Sequence, residues 1–336
     1  MQYQQEDAEE VLSAVRQVAQ SVSSGREAVA DISVLVAVTS NLSLTNLDMW
    51  ERLLRWEFSR ELKASMPAKW IFWTQPTPFL AWIDLCSEDG FKREKTLRTL
   101  SGAAPNSFFF AIAVRRLNDW VPQVREAARA KLPIIAKDTD PELVVDVLCA
   151  TLPHWSSWGR MEDKDKQALV EIASIEKVGH SLKSRILSAT SGPMVSVLSQ
   201  AACTETLDRY LDEIARKAIQ PSVRAKAYKC LLEGKIVWCD GRKWEWTDKR
   251  YCKGQFKPIL CERTVRVTTP FLGTLESAAM DRSPIVRRVA GEMLIRELEK
   301  IGTESLGLAE LLASDPSPSV AERGKFALKK LVNPLL

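Results

Sequence analysis

The chain has 336 residues, of which 46% are hydrophobic and 27% are charged, and its formal net charge is +4. This composition excludes an intrinsically disordered chain, because disorder requires few apolar residues and a large net charge. The charge is also small for a protein that coats DNA, although it leaves a nucleic-acid ligand open.

The cysteines and the first residues predict a cytoplasmic protein. Residues 1–10 are polar and acidic, unlike the basic and then apolar start of a secretory signal peptide. The strongest apolar run, residues 32–38, is far shorter than the ~20 residues that cross a bilayer. The seven cysteines lack the close spacing of a secreted disulfide framework. We therefore expect no membrane contact and a reducing cytoplasmic compartment.

The N-terminal part of the chain predicts helices that do not belong to the pattern found later. Apolar residues recur at helical spacing around Val11 and Val15, and again at Trp50 and Leu54. We interpret residues 1–75 as an N-terminal helical capping segment, because a stack of repeats would otherwise expose the apolar face of its end.

A phrase of the form Asp-x-x-Pro-x-Val, usually followed by Arg, recurs along the rest of the chain and precedes apolar helical patterns. Its valines are Val124, Val223, Val286 and Val320; the last two are one period apart and the first two are three periods apart. Self-similarity at a period of roughly 33 residues indicates a stack of helix pairs. Proline suits the first position of a helix, where its missing N–H costs nothing. The copies begin at Asp119, Ala218 (in place of Asp), Asp281 and Asp315.

An earlier, altered copy places Phe91 and Lys92 in the Val and Arg positions, because Phe91 lies one period before Val124. The first helix pair is accordingly predicted from Phe79 to Leu100. Residues 138–200 follow the period less clearly, and Pro141 is expected to open the first helix of a pair.

These copies, with small residues such as Ala127 and Ala290 behind the phrase, resemble HEAT-type α-solenoid repeats. The resemblance covers roughly residues 76–333 and implies a mainly α fold, a superhelix of helix pairs. In that family, the Asp and Arg of successive repeats form a buried ladder of charge-assisted hydrogen bonds.

The resemblance implies a ladder of acids and arginines at specific positions of this chain. By similarity, three acids would pair with three arginines: Asp119, Asp281 and Asp315 with Arg125, Arg224 and Arg287. The ladder would be interrupted where the chain departs from the family pattern, at Lys92, Ala218 and Ala321.

A β-rich insert is predicted at residues 233–269, because Val223 and Val286 lie nearly two periods apart with no copy of the phrase between them. Asp240-Gly241 between β-prone runs is a hairpin signal, since both turn positions require positive φ. Residues 261–268 alternate as a further strand would.

The charge of this insert defines the main candidate binding site. It carries nine basic and five acidic residues with aromatic residues interleaved. Basic groups for phosphates beside aromatic faces for bases can hold single-stranded nucleic acid. We favour a structural interpretation, in which the aromatics bury one hairpin face and the lysines protect its edge. The candidate binding residues here are Lys243, Trp244, Trp246, Lys249 and Arg250.

Four cysteines in or beside the insert are weak candidates for a zinc site: Cys230, Cys239, Cys252 and Cys261. Structural zinc sites normally present tight C-x2-4-C pairs, whereas these residues are separated by eight, twelve and eight others. We therefore favour free thiols and expect no metal and no cofactor.

No catalytic signature is present in the sequence, which lacks a P-loop, a nucleotide-binding glycine motif and a His-Glu-x-x-His motif. HEAT-like solenoids include alkylpurine DNA glycosylases and subunits of bilin lyases, but no catalytic Asp can be carried over to this chain. We therefore expect a protein that is not an enzyme.

The sequence favours a non-catalytic scaffold or adaptor, a subunit of a protein complex, that binds a macromolecular partner through its concave face and its insert. Trp155 and Trp158, in a short Ser-containing loop, are candidate exposed anchors, and Trp120 lies in a turn that can also face a partner. Basic clusters on the second helices favour a protein partner with an acidic surface. The alternative is a nucleic-acid-binding protein, either alkylpurine DNA glycosylase-like or non-catalytic. No oligomeric state is predicted.

Overall fold

A computed structural model describes residues 2–23, 33–65 and 80–332. Over these ranges the protein is mainly helical, with seventeen α-helices and one two-stranded antiparallel sheet. The mainly α prediction and the prediction of a small β insert are thus confirmed. The chain divides into two compact units, Met1–Val178 and Gly179–Leu336.

Two sequence-based boundaries cannot be placed on this structure. The expected end of the capping segment at residue 75 and the expected start of the first helix pair at Phe79 both lie outside the described residues. Among the helices of the described ranges, none is long and apolar enough to cross a membrane.

The first unit contains nine helices in its described part. They are α1 (Gln2–Ser23), α2 (Ser33–Ser40), α3 (Leu47–Ser65), α4 (Leu80–Asp84), α5 (Gly90–Thr99), α6 (Ser107–Arg115), α7 (Pro122–Asp138), α8 (Pro141–Thr151) and α9 (Asp163–Ser174).

The point of division between the units falls within α10 (Glu176–Ser188). The remaining elements are α11 (Met194–Ala201), α12 (Leu211–Lys217), α13 (Pro221–Glu233), β1 (Lys235–Asp248), β2 (Lys253–Thr264), α14 (Phe271–Ala279), α15 (Pro284–Ile301), α16 (Ser305–Ala313) and α17 (Pro318–Val332).

Helix packing follows the same rule inside each unit. In the first unit α5 packs against α7 and α7 against α9, while α6 packs against α8. In the second unit α13 packs against α15 and α15 against α17, while α14 packs against α16. Within each unit, therefore, the second helices of successive pairs contact one another, and so do the first helices.

The repeated phrase starts the second helices as the sequence predicts. Its proline is the first residue of α7, α13, α15 and α17, where no helical hydrogen bond is lost. Its valine is fully buried in every copy: Val124, Val223, Val286 and Val320. Pro141 likewise begins α8, whose contact with α6 makes it a first helix.

Arginines near the start of the second helices bond both to the turn before their own helix and to an acid before the next second helix. We call this arrangement the arginine relay. Arg224 donates from Nη1 to the carbonyl oxygen of Ala218 at 2.8 Å and binds both carboxylate oxygens of Asp281 at 2.9 Å. Arg287 repeats this, with its Nη1 2.9 Å from the Asp281 carbonyl oxygen and two bonds to the Asp315 carboxylate. One guanidinium therefore closes its own turn and also binds the next phrase.

The relay in the first unit differs from the expected ladder. Asp119 is bound by Arg93, at 2.9 and 2.8 Å, and not by Arg125. Arg93 also donates to the Ser87 carbonyl oxygen, six residues earlier. Arg125 donates to the carbonyl oxygen of Asp119 and pairs with Glu162 at 2.7 Å. Arg93, Arg224 and Arg287 therefore each pair with the Asp of the following phrase, whereas Arg125 pairs with Glu162, just before α9.

The expected interruption at Lys92 is wrong, because the neighbouring Arg93 supplies the guanidinium. Lys92 is half exposed and pairs with Asp84 instead. Counting one regular period back from Arg125 gives Lys92, but the spacing of this repeat is one position shorter and reaches Arg93. At Ala218 the carbonyl oxygen still accepts from Arg224, but the methyl side chain offers no carboxylate to an arginine.

The relay is buried, which makes its pairing obligatory. The side chain of Arg224 is 1% exposed and that of Asp281 is 7% exposed. Burial opposes ionisation of Asp119, but hydrogen bonds from Arg93 and from the Val121 N–H, with the charge of Arg116, hold its pKa below the usual value. Removing one partner of such a pair leaves a buried charge, at a cost of roughly 3–5 kcal/mol.

Replacing Arg93 and replacing Lys92 should have very different effects. We expect Arg93→Ala to lower the free energy of unfolding by roughly 3 kcal/mol, the lower end of the range for buried pairs, because Arg116 still reaches Asp119 at 3.1 Å. Lys92→Ala should cost less than about 1 kcal/mol, as exposed pairs do. Urea denaturation followed by circular dichroism measures both, and equal losses would contradict the assignment of Arg93 to the relay.

The relay also predicts a pH dependence of stability. The hydrogen bond from Arg287 lowers the pKa of Asp315, so the ionised carboxylate stabilises the fold above its unfolded-state pKa of about 3.9. This contribution is lost as the pH falls through the lower pKa of the folded state. The stability difference between the wild type and Asp315→Asn should therefore shrink from pH 7 towards about pH 3.

The control for this pH series is Asp163→Asn, because the Asp163 side chain is 95% exposed. Its stability curve should run parallel to that of the wild type. A difference between wild type and Asp315→Asn that stays constant with pH would contradict a stabilising role for the ionised form.

Candidate interaction surfaces

The insert is one long antiparallel hairpin, and its turn is not where the sequence placed it. Strand β1 runs without a break through Asp240 and Gly241, where the register shift marks a β-bulge. Gly241 uses its positive φ of 144° for this bulge. The chain reverses at residues 249–252, where the Asp248 carboxylate accepts from the N–H groups of Arg250 and Tyr251.

The expected further strand is also corrected. Residues 261–264 belong to the hairpin's second strand, and residues 265–268 are not in a strand. The Asp-Gly signal predicted positive φ at both residues, but of the two only Gly241 has it, and it uses that conformation for a bulge instead of a turn. Asp248, which caps the real turn, was the signal that sequence reasoning missed.

The base of the hairpin is fixed to the second unit by hydrogen bonds. Arg263 binds both carboxylate oxygens of Asp208, at 2.8 and 2.5 Å, and the Ala202 carbonyl oxygen at 2.9 Å. Gln200 and Lys226 donate to backbone carbonyls of β1 at 2.8 and 2.9 Å. Hydrogen bonds from residues of the neighbouring helices therefore fix the base of the hairpin, and the tip extends beyond this fixed part.

Three aromatic rings on one face of the hairpin form what we call the tip cluster: Trp244, Trp246 and Phe256. Trp244 packs edge-to-face against both other rings, with centroids 5.5 and 5.0 Å apart. The rings nevertheless remain 45%, 48% and 64% exposed. A Cβ at Gly254 would lie 2.5 Å from the Trp244 ring, so glycine lets the ring lie flat against the strand.

The tip is strongly basic. Between Arg242 and Lys257 there are six basic and two acidic residues, a net charge of +4. Lys257 is paired with Glu245 at 2.9 Å. The sequence-predicted residues Lys243, Lys249 and Arg250 are exposed, and over the described part of the chain they form no ion pair. The structure thus places three available cations on the same hairpin as the tip cluster.

The four cysteines considered for zinc are not brought together. Cys230 is buried in α13, Cys252 is exposed in the turn, and Cys239 and Cys261 pair across the strands with Leu260 and Trp238. Burial raises the pKa of the Cys230 thiol to about 11, which disfavours the thiolate that a metal requires. The described residues contain no group of three or more His, Cys, Asp or Glu placed to hold a metal ion.

The tryptophan loop of the first unit is only partly as expected. Trp155 is 4% exposed, so the expectation of an exposed anchor is wrong for this residue. The loop forms a 3-10 turn over Trp155–Ser157, which turns the first indole into the core. Trp158 is half-buried and lines a cleft, and Trp120, 73% exposed, lines the same cleft.

This cleft has a volume of about 900 Å³ and is bordered by α3, the end of α6 and the loop at 157–160. Six of its lining residues are arginines, which sequence reasoning did not bring together. The local signal was the spacing of Arg52 and Arg55 on α3, three residues apart and therefore on one helix face.

No protein-family model matches this chain, and neither the curated proteins nor the solved structures provide a match.

Loss of the Arg263 anchor should loosen the hairpin locally. We expect Arg263→Ala to destabilise the base by roughly 1.5–3 kcal/mol, because bonds to a carboxylate and to carbonyl groups are lost together. Hydrogen exchange measured by mass spectrometry should then accelerate in residues 235–264, while α15 and α17 keep their protection. Lys257→Ala, which removes only an exposed pair, should leave exchange unchanged. Unaltered exchange in Arg263→Ala would contradict the anchoring role.

Proposed function

We propose that this protein is a non-catalytic scaffold that binds an acidic macromolecular partner through the tip of its hairpin. The observation that carries the proposal is the tip itself, where three exposed rings lie on a hairpin with three cations that form no ion pair over the described part of the chain. An aromatic group beside basic residues is typical of binding hot spots. Such a surface gains binding energy from an acidic partner that covers the rings and neutralises the charges.

The fixed base of the hairpin supports the same proposal. A two-stranded hairpin alone is marginally stable in water, so the tip depends on the bonds made by Arg263 and its neighbours. Because the base is already ordered, binding at the tip costs less conformational entropy than binding by a free loop.

We also propose that the helix pairs form a HEAT-like solenoid. The recurring contacts between second helices and the arginine relay support this architecture, which is typical of proteins that present extended binding surfaces. All seven cysteines are free thiols, which supports a reducing compartment such as the cytoplasm.

Nucleic acid is the second candidate partner, and the same tip supports it. Exposed rings can stack on bases while nearby lysines and arginines contact phosphates. A non-catalytic nucleic-acid binder fits this observation better than an alkylpurine DNA glycosylase, which would need a catalytic acid beside the rings. Both acids of the tip are already engaged: Glu245 is paired with Lys257, and Asp248 caps the turn.

Charge reversal at the tip tests the proposed function. We expect the triple variant Lys243→Glu, Lys249→Glu and Arg250→Glu to lose at least about tenfold in affinity for its partner, since charge repulsion replaces attraction. The matched control reverses the same number of charges, at Lys325→Glu with Lys329→Glu and Lys330→Glu, three exposed lysines on α17. Crosslinking and quantitative mass spectrometry should recover a protein that depends on the tip lysines and not on the α17 lysines. Equal recovery with both variants would overturn the proposal.

Short single-stranded oligonucleotides distinguish the two partner classes. If nucleic acid is the partner, fluorescence anisotropy should show binding that weakens steeply with salt and is lost in Trp244→Ala with Trp246→Ala. For a protein partner we expect no such binding, while the crosslinked protein remains sensitive to the same two substitutions.

A further inference from the structure

The arginine-lined cleft of the first unit carries a surplus of positive charge. Six arginines and four acids line it. Three of the arginines and three of the acids neutralise one another in a closed set of ion pairs: Arg93, Arg115 and Arg116 with Asp48, Glu51 and Asp119. This leaves three arginines against one acid, a surplus of two positive charges.

The surplus arginines are accessible. Arg52 is exposed, and its Nε donates to the Asp48 carbonyl oxygen at 3.1 Å, a bond within the helix that leaves the outer guanidinium nitrogens for a ligand. Arg55 lies 3.8 Å from Glu88, whose side chain is 86% exposed, so this contact is weak and easily replaced. Two neighbouring positions of α3 therefore present guanidinium groups to the cleft.

An exposed indole lies in the same cleft. The guanidinium of Arg160 lies 5.5 Å from the centroid of the Trp120 ring. The Arg160 backbone N–H donates to the Asn118 side chain at 3.0 Å, which fixes the loop beside the turn that carries Trp120. The guanidinium of Arg160 therefore lies beside the indole, while most of the Trp120 surface faces solvent.

We propose that this cleft binds a nucleoside phosphate, with the phosphate on Arg52 and Arg55 and the base stacked on Trp120. One guanidinium group can donate two parallel hydrogen bonds to the oxygens of a phosphate, and an exposed indole can stack on a planar base. A cleft of about 900 Å³ lies in the size range of small-molecule sites. An acidic peptide could neutralise the arginines but would leave the indole without a planar partner. This site is separate from the hairpin tip and does not depend on the proposed function.

The test is isothermal titration of the full chain with adenosine monophosphate, adenosine and inorganic phosphate. We expect the nucleotide to bind at least about tenfold more tightly than either fragment, because it engages both halves of the cleft. Arg52→Ala with Arg55→Ala should weaken nucleotide binding about tenfold or more, and so should Trp120→Ala. A single-stranded tetranucleotide, compared with the mononucleotide, shows whether the nucleotide is recognised free or within a strand.

The control variants separate this site from the hairpin and from loss of folding. Trp246→Ala, at the hairpin tip, should leave nucleotide binding unchanged, and so should Arg216→Ala, which removes an exposed arginine of α12. Melting curves should show that the cleft variants stay folded, since their side chains are exposed or half-buried. The proposal is overturned if neither nucleotide nor tetranucleotide binds. It is also overturned if phosphate alone binds as tightly as the nucleotide, or if Trp120→Ala has no effect.

Discussion

A buried guanidinium that serves two successive phrases at once is the interaction on which the helix stacking in each unit depends. Arg224 illustrates it: one nitrogen satisfies a carbonyl group left open at the start of its own helix, and two others hold the carboxylate of Asp281. Because a buried arginine cannot lose its charge, it must keep both contacts or incur a large desolvation cost. This requirement constrains the distance between neighbouring second helices in addition to their apolar packing.

The same chemistry appears where the repeats are interrupted. A two-stranded hairpin inserted between helix pairs has little packing of its own. Arg263 fixes its second strand by hydrogen bonds to Asp208 and to backbone carbonyl groups. In the first unit, Arg93, Arg115 and Arg116 pair with three acids and leave other arginines of the cleft available. Each candidate surface therefore lies next to a set of structural ion pairs and consists of basic residues outside that set. The basic groups that the fold needs are paired inside it, and those that are unpaired or only weakly paired, such as Arg55 with the exposed Glu88, are available for binding.

The sequence predicted what depends on local physics and missed what depends on three-dimensional neighbours. The starts of α7, α13, α15 and α17 could be predicted from their prolines, because the preference of proline for the first helical position depends only on its own backbone. The pairing of Asp119 with Arg93 was not, since it depends on which helix lies beside it, and an error of one position in the period shifted the assignment to Lys92. The position of Trp155 failed for a related reason: a short 3-10 turn decides which of two nearby indoles enters the core. The exposure of the tip rings was predicted wrongly: the favoured interpretation had the aromatics burying one hairpin face, but this two-stranded hairpin has no second layer over its tip and the rings stay 45–64% exposed.

A double-mutant cycle across Arg224 and Asp281 measures the central interaction most directly. The free energies of unfolding of the wild type, Arg224→Met, Asp281→Asn and the double variant yield a coupling energy that excludes losses unrelated to the pair. A relay that fixes the stacking predicts a coupling of roughly 2–3 kcal/mol, near the upper end for residues in contact, because both side chains are almost fully buried. A coupling close to zero would show that the helices stack by apolar packing alone and would contradict this account.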